Sequence, residues 1–371
     1  MVERFSPAEP PGLFAKLRGA AGRLVELSFG GLSLVVLLAI LATVPVLQLV
    51  ALGYLLRAAE RYVASGKLGE AFIGVREAGR IGQFLLGLWL VSLLPRLLIS
   101  LHEDALLVDP RAPVVSALRI ATLVGYALVG FVALVALSQG GGLVHFFRPL
   151  RATRRLVADL RAPHYPSRQR ERLLGVAEAL GLPAIFRIGL LGYLGALLWL
   201  ALPTTIVAFS KRGGGALLGG LLLALVVVPL PFLQLHYVVE DRFRAFVEVR
   251  QVAALSRRAP LAFAVALTST LLLAIPLYVL EIELVPREAA WLPAAVFVFT
   301  VFPTKLLTAW AYRRALARPS DAPRPLRWLA RPWMLAVALV YAVLVFLTQY
   351  TGWHGALGLY AHHAFLLPLP F

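Results

Sequence analysis

Long apolar runs, separated by short charged segments, dominate the pattern of this chain. Eight runs exceed the roughly 20 helical residues needed to cross about 30 Å of hydrocarbon, and Arg96, Arg119 and Lys305 are the only formal charges inside them. Helices satisfy every backbone N–H and C=O where water is absent. The pattern predicts an all-α polytopic transmembrane helix bundle with spans near 32–56, 81–101, 115–138, 188–210, 215–239, 260–280, 290–311 and 332–353.

Basic residues mark every second connection between these runs. Lys and Arg number 25 in the connections 57–80, 139–187, 237–259 and 312–331, against 4 in the alternate connections and the C-terminal tail. Because basic loops stay in the cytoplasm, we expect these four connections inside and the C-terminus outside.

The N-terminal segment disagrees with this alternation. Parity places the N-terminus outside, although residues 1–31 carry four basic residues. Either the N-terminus is translocated, which we favour, or the run 27–56 enters and returns around Pro45 without crossing. Apolar residues at helical spacing between Phe14 and Ser28 predict an amphipathic, interfacial helix within residues 1–31; a poorly ordered tail is the alternative.

Four short motifs occur twice, in the same order. VPVLQL at 44–49 is followed by AFIGVR at 71–76, LVDPR at 107–111 and a double arginine at 154–155; VPLPFLQL at 228–235 is followed by AFVEVR at 245–250, LVPR at 284–287 and a double arginine at 313–314. We therefore predict two parallel four-helix repeats, related by an axis along the membrane normal. They comprise 32–210, with its basic inner loop 139–187, and 215–353, and an apolar outer tail follows at 354–371.

A glutamine follows a proline in both copies of the first motif. Proline removes a backbone donor and kinks a helix, and Gln48 and Gln234 can supply a donor to a freed carbonyl or to a neighbouring helix. Packing is the leading interpretation of both residues. The alternative is that they face the interface between the repeats and bind a ligand there.

The three cations inside spans have two interpretations as well. Arg96 and Arg119 lie near the outer surface and Lys305 lies toward the inner one, so each long side chain can reach the interface or a carboxylate. The alternative is a role in a substrate path. The candidate ligand-binding residues are therefore Gln48, Gln234, Arg96, Arg119 and Lys305.

The long inner connection contains a basic amphipathic helix. Its apolar stripe begins at Leu150, and its basic residues lie off that stripe, which predicts contact with anionic headgroups of the inner leaflet. These basic residues are Arg148, Arg151, Arg154 and Arg155. The net charge of +17 would also suit nucleic acid, but aromatic residues that stack bases are missing between these arginines. We expect membrane lipids as partners and no nucleic acid, and protein partners stay open.

The composition permits little chemistry. Apolar residues make up 60% of the chain, charged residues make up 15%, and cysteine is absent. No phosphate-binding glycine loop, nucleophile elbow or zinc-binding helix is present. The outer histidines, including His363, lack metal-ligand spacing and are expected to be solvated or interfacial. We predict no catalytic residues, no metal and no cofactor.

Residues 52–80, LGYLLRAAERYVASGKLGEAFIGVREAGR, resemble a family of prokaryotic multi-pass membrane proteins known as a domain of unknown function. The shared features are Gly53-Tyr54 at a helix end, a basic residue soon after, a glycine near 66, and an amphipathic stretch before the next span; Leu68-Gly69 stands where the family has Leu-Pro. The resemblance implies a bacterial inner-membrane protein and no mechanism.

Two classes of function remain. A transporter-like or lipid-handling protein with a site between the repeats is the preferred hypothesis, because duplicated bundles bind substrate at the repeat interface. The alternative is a non-catalytic membrane subunit or scaffold of a larger complex. An intramembrane enzyme ranks third, because no candidate catalytic group is visible.

Overall fold

Helices account for all the regular structure that is described. The computed structural model describes residues 13–160, 175, 181–210, 213–282, 291–348, 359, 363 and 366. Within them, eight helices are long and apolar enough to cross a membrane, which confirms the all-helical class for the described residues and is consistent with a multi-pass membrane protein. The candidate spans are Val25–Thr43, Val75–Val108, Pro113–Ser138, Leu182–Phe209, Gly214–Glu240, Pro260–Leu277, Trp291–Leu316 and Arg324–Leu347.

Fourteen α-helices and one 3-10 helix are defined in the described residues. In chain order they are α1 (Leu13–Thr43), α2 (Gln48–Ser65), α3 (Leu68–Ala71), α4 (Val75–Val108), α5 (Pro113–Ser138), α6 (Leu143–Phe147), α7 (Pro149–Leu160), α8 (Leu182–Phe209), α9 (Gly213–Val227), α10 (Leu230–Glu240), the 3-10 helix (Phe243–Val247), α11 (Val249–Arg258), α12 (Pro260–Ile282), α13 (Trp291–Leu316) and α14 (Arg324–Thr348).

The chain divides into two compact units by its internal contacts. Unit 1 is Met1–Leu34 with Gly74–Ala179, and unit 2 is Val35–Ile73 with Leu180–Phe371. These units do not follow the expected boundary between 210 and 215. The compact units describe which residues pack together, whereas a repeat describes the common ancestry of two segments, so the units do not test the repeat. The division into 1–31, 32–210, 215–353 and 354–371 therefore stays a prediction.

Unit 1 is built around the pair α4 and α5, with α6 against both helices and α7 against α5. The backbones of α1 and α4 approach closely, because a Cβ atom added at Gly79 would lie 3.4 Å from the Cα of Gly30. Phe146 of α6 packs against Val132 and Ala136 of α5. Small residues thus allow close contact where apolar attraction between helices is weak.

Both proline motifs interrupt helices, as their sequence predicts. Helix α1 ends at Thr43 and α2 begins at Gln48, while α9 ends at Val227 and α10 begins at Leu230. Pro45 has no N–H to donate, and Val46 adopts the left-handed backbone region with a φ of 72°. The first candidate span therefore ends at Thr43 rather than near 56, and it is continuous with the helix from Leu13 that was expected to be a separate interfacial segment.

Unit 2 packs most tightly where α2 crosses α8. A Cβ atom added at Gly53 would overlap the carbonyl oxygen of Ile185, and one added at Gly189 would overlap that of Leu49. The two backbones are therefore in direct contact, as at the small-residue crossings of membrane helices.

The C-terminal end of α2 is capped by a distant arginine. Arg313 of α13 donates to the carbonyl oxygens of Val63 at 2.6 Å and Ala64 at 3.3 Å. Gly66 closes the helix with a φ of 74°. The last carbonyls of a helix lack intrahelical partners, so this guanidinium satisfies groups that α2 cannot satisfy alone.

Candidate functional site

Helix α10 is the most enclosed element of unit 2. All nine residues from Leu230 to Val238 are buried, and α10 contacts α2, α8, α9, α11 and α13. Three side chains with polar atoms, those of Gln234, His236 and Tyr237, are therefore held inside the unit. Buried polar groups need hydrogen-bond partners. Gln234 and His236 have them, whereas the hydroxyl of Tyr237 has none among the described residues.

Gln234 joins a buried lysine to two backbone carbonyls. Its Oε1 accepts a hydrogen bond of 2.6 Å from Nζ of Lys305 in α13. Its Nε2 donates to the carbonyl oxygens of Gly192 in α8 and Leu366, each at 3.2 Å. A Cβ atom added at Gly192 would lie 3.8 Å from this Nε2 and 2.7 Å from Leu56, so glycine opens access to the carbonyl.

Lys305 is a buried basic residue whose hydrogen-bond partner is neutral. Its side chain is 4% exposed, and no carboxylate among the described residues lies within 4.0 Å of it. An ammonium has three N–H donors, and the hydrogen bond to Gln234 uses one. A buried cation with a neutral partner is costly, because the loss of hydration is not offset by an opposite charge. The expected snorkelling of Lys305 to the interface is therefore wrong.

A second cluster surrounds His236 on the same helix. Its Nδ1 lies 2.7 Å from the hydroxyl of Tyr312, and its Nε2 lies 2.9 Å from Oε2 of Glu248. Nε2 donates to the carboxylate, and Nδ1 accepts from Tyr312 when the imidazole is neutral. Arg242 lies 3.1 Å from the other oxygen of Glu248 and 3.2 Å from Glu240. This cluster thus runs from an exposed ion pair into the core.

The carboxylate of Glu248 is stabilised in its charged form. The hydrogen bond from His236, reinforced by the positive charge of Arg242, holds the pKa of the Glu248 carboxyl below its ordinary value. Hydrogen bonds and opposite charges favour an ionised carboxylate in this way. Glu248 therefore remains an acceptor for His236 throughout the neutral pH range.

One face of α13 joins the two clusters. Lys305 and Tyr312 are seven residues apart, which is two helical turns or about 10.5 Å. Thr308 lies between them and donates to the carbonyl oxygen of Thr304 at 2.8 Å. Gln234 and His236 on α10 therefore meet a polar stripe on α13.

A third buried histidine comes from the tail. His363 is fully buried, with its Nε2 2.9 Å from the hydroxyl of Thr204 in α8 and its Nδ1 bonded to the hydroxyl of Tyr341 in α14. Leu359 and Leu366 are also fully buried. The expectation of a solvated or interfacial His363 is wrong, because the described tail residues belong to the core of unit 2.

Gln48 is buried, but it takes no part in the hydrogen bonds around Gln234. It occupies the first position of α2, and its Oε1 has no hydrogen-bond partner among the described residues. It is not a hydrogen-bond partner of Gln234. The two glutamines that the sequence pairs therefore differ, since only Gln234 is fully bonded to neighbouring segments.

The remaining predicted residues whose side chains are described are exposed. Arg96 in α4 and Arg119 in α5 are exposed members of unit 1, and no ion pair with another described residue is recorded for either. Of the basic residues predicted to contact lipid, Arg148, Arg151 and Arg154 are exposed. Arg155 lies on the same helix, α7. Their contact with anionic headgroups stays a prediction.

The sequence drew attention to Gln234 and Lys305 but missed their pairing and the whole His236 cluster. A signal for His236 was present, because an ionisable ring two residues after Gln234 interrupts an apolar run. Glu248 and Tyr312 gave no such signal, since each follows a span among other polar residues.

Comparison with known proteins adds no family. No family model, no curated protein and no solved structure matches this chain. The resemblance of residues 52–80 to the uncharacterised prokaryotic family therefore stays a prediction. The functional proposal therefore rests on residues of α8, α10 and α13.

Proposed function

We propose that this chain is a transporter-like or lipid-handling protein of the bacterial inner membrane, with a ligand site centred on Lys305 and Gln234. The observation that carries the proposal is the buried side chain of Lys305, whose described partner is a neutral amide. Ionisable groups inside spanning helices are rare and costly, and they mark substrate and ion paths more often than structural positions.

The position of Gln234 fits a site between two repeats. Gln234 and Lys305 belong to the expected repeat 215–353, whereas Gly192 belongs to 32–210. The amide of Gln234 therefore bridges both copies. Substrate sites of duplicated transporters occupy this position near the middle of the membrane.

The chemistry of the site indicates an amphipathic anion as ligand. An acidic group would give the ammonium of Lys305 the opposite charge that it lacks among the described residues. The side chains one turn from Gln234 on α10, Leu230 and Val238, are apolar. A molecule with one acidic group and an apolar body matches both features, and an anionic phospholipid is such a molecule.

The order of helices supports the repeat itself. Each copy has a helix interrupted at the proline motif, and the next motif ends at a helix start, Val75 in α4 and Val249 in α11. The double arginines differ, because Arg313 lies in the last turn of α13 whereas Arg154 lies in the separate helix α7. The proposal keeps the two parallel copies and excludes the double arginine as an equivalent helix end.

One observation favours the alternative of a non-catalytic subunit or scaffold. The clefts beside α12 are lined by residues such as Leu261, Trp333 and Arg314 rather than by Gln234 or Lys305. Close packing at the centre suits a structural role, and transport requires that α10 and α13 separate. The two functions therefore differ in whether ligand reaches Lys305.

A lipid-translocation assay separates them. Wild-type protein is reconstituted in vesicles of phosphatidylethanolamine and phosphatidylglycerol that contain fluorescent phosphatidylglycerol, and dithionite quenches the outer leaflet. We expect the wild type to expose inner-leaflet lipid faster than empty vesicles do, and Lys305→Met to slow it about tenfold, the loss of one charge-assisted hydrogen bond. Lys67→Met, at an exposed lysine, is the matched control.

Three outcomes contradict the proposal. If vesicles with the wild type translocate lipid no faster than empty vesicles, the lipid-handling function is wrong. If Lys305→Met and Lys67→Met change the translocation rate equally, Lys305 is not the site. A stoichiometric protein partner in native mass spectrometry, combined with no translocation, supports the scaffold instead.

Sidedness has its own test, since the chain contains no cysteine. Lys67→Cys lies in a connection proposed to be cytoplasmic, and Asp109→Cys lies in one proposed to be external. A membrane-impermeant maleimide applied to whole cells should label Asp109→Cys and leave Lys67→Cys unlabelled until the cells are lysed. The reverse pattern contradicts the proposed topology.

A further inference from the structure

Unit 1 contains an open cleft of about 470 Å³ that belongs to none of the clusters described above. It is formed by α1, by the first residues of α4 and by the segment that leads into α6. This volume lies within the range of small-molecule sites, about 300–1,000 Å³. The cleft is therefore large enough for a headgroup-sized molecule.

The polar lining of the cleft is mainly positive. Arg76 and Arg80 lie one turn apart on the same face of α4, both are exposed, and neither forms an ion pair with another described residue. Glu26 is the acidic residue among the described lining. His145 adds a third group able to donate to an anion. Two guanidinium groups facing one carboxylate leave a net positive charge for a ligand.

The start of α4 adds to this charge. Helix α4 begins at Val75, and Gly74 before it supplies no side-chain cap. The first N–H groups of a helix lack intrahelical partners and carry a partial positive charge. Val75 and Arg76 both line the cleft, so the positive end of α4 lies beside the two guanidinium groups.

Apart from the amide of Gln83, the rest of the lining is apolar or without side chains. Val25, Phe29 and Val75 form an apolar wall beside the arginines. Gly140 and Gly142 add no side chains to the lining, and Gly140 has a φ of 94°, a conformation that favours glycine. A molecule with an anionic head and an apolar body fits this division.

We propose that the cleft binds a phosphate group through Arg76 and Arg80. Guanidinium groups bind phosphate oxygens with paired, charge-assisted hydrogen bonds, which favours a phosphate over a simple carboxylate for two adjacent arginines. The phosphate can belong to an anionic phospholipid, whose glycerol and acyl part would contact Phe29, or to a free phosphate compound. The inference does not rest on the function proposed for Lys305.

The first experiment locates bound lipid without altering the protein. The full chain is reconstituted with photoreactive phosphatidylglycerol, irradiated and digested, and the modified peptides are identified by mass spectrometry. We expect enrichment of adducts on peptides that contain residues 75–83 and 140–145. A uniform distribution of adducts over all apolar helices overturns the lipid source.

The second experiment measures ligand affinity in two variants that each lose two positive charges, one inside the cleft and one outside it. Short-chain phosphatidylglycerol and, separately, inorganic phosphate are titrated against detergent-purified wild type, Arg76→Gln/Arg80→Gln and Arg324→Gln/Arg331→Gln. The last pair removes two exposed arginines from α14. We expect binding to weaken more than about tenfold for the first pair and less than about twofold for the control.

Each outcome decides the proposal. Phosphatidylglycerol binding that depends on Arg76 and Arg80 supports the site with a lipid as its source, and inorganic phosphate binding with the same dependence supports it with a free phosphate. Equal weakening by both arginine pairs shows diffuse attraction and overturns it. If the first pair fails to fold, Arg76→Lys/Arg80→Lys retains the charge, and full affinity there contradicts the paired guanidinium contact.

Discussion

The two units use similar apolar helices in opposite ways. In unit 1, 17% of the apolar window of α4 and 22% of that of α5 are buried, whereas in unit 2 the windows of α12 and α13 are 56% and 61% buried. Yet α13 is the least apolar of the four, with a mean hydropathy of 1.6 against 2.4 for α5. Because α4 and α12 share a mean hydropathy of 2.0 and still differ this much in burial, hydropathy alone does not determine which helices form the interior.

This difference follows from the solvent. Lipid tails are as apolar as leucine, so helices gain little from hiding apolar side chains from them. They associate instead through close packing and hydrogen bonds, as Gly53, Gly189 and Gln234 do in unit 2. Four predictions test this difference, from the largest effect to the smallest.

Gly53→Val should abolish folding of unit 2, because even a Cβ atom at this position overlaps the backbone of α8. Overpacking of this kind costs about 3 kcal/mol or more. The measurement is the monodisperse peak in size-exclusion chromatography of a fluorescent fusion. Gly130→Val in α5, where a Cβ meets nothing within 4 Å, should keep that peak. A folded Gly53→Val protein would contradict the close crossing.

Leu233→Ala should lower stability by about 3 kcal/mol, because it leaves a cavity in the fully buried face of α10. Leu134→Ala, where the leucine of α5 is 68% exposed, should change stability by less than about 0.5 kcal/mol. Thermal unfolding in detergent measures both. If both variants lose the same stability, Leu134 is covered, for example by a partner, and the two units do not differ in burial as described.

Gln234→Leu should cost about 2 kcal/mol, since it leaves the ammonium and two carbonyls without this partner. Lys305→Met should be nearly neutral, because it removes the poorly compensated charge. The double variant should be more stable than Gln234→Leu alone, and such non-additivity measures the coupling of the pair. Additive effects would mean that the two residues act independently.

Glu248→Gln should change how stability depends on pH. Because the folded-state pKa of Glu248 is lowered, its contribution is complete above the pH where an unfolded glutamate titrates, about 4.3, and is lost as the pH falls through the folded value. The melting temperatures of wild type and variant should therefore differ at pH 7 and converge in acid. Glu70→Gln, at an exposed surface pair, serves as the control and should show no such convergence.

Much of the fold was visible in the sequence, because lipid imposes a simple rule on length and hydropathy. The eight spans follow from that rule, and Pro45 and Pro229 mark the helix breaks. The ends of the first span were misjudged because hydropathy continues unchanged past Pro45, while the backbone does not. Periodicity reveals where helices are and says little about which helices meet.

The site was only half predictable for the same reason. Lys305 and Gln234 stand out individually as polar groups in apolar runs, but they are 71 residues apart, and no local pattern shows that they are bonded. His363 was assigned to the surface because it follows the last span. Its burial depends on the return of the tail to α8 and α14, which local sequence does not encode.

The cap on α2 has a consequence for biosynthesis. Arg313 follows Val63 by 250 residues, so at about 5–20 residues per second a ribosome makes it roughly ten to fifty seconds after Val63. During that interval the final carbonyls of α2 lack the guanidinium that later satisfies them. A nascent chain arrested before residue 313 should therefore be found beside an insertase or chaperone, and release should coincide with translation of α13.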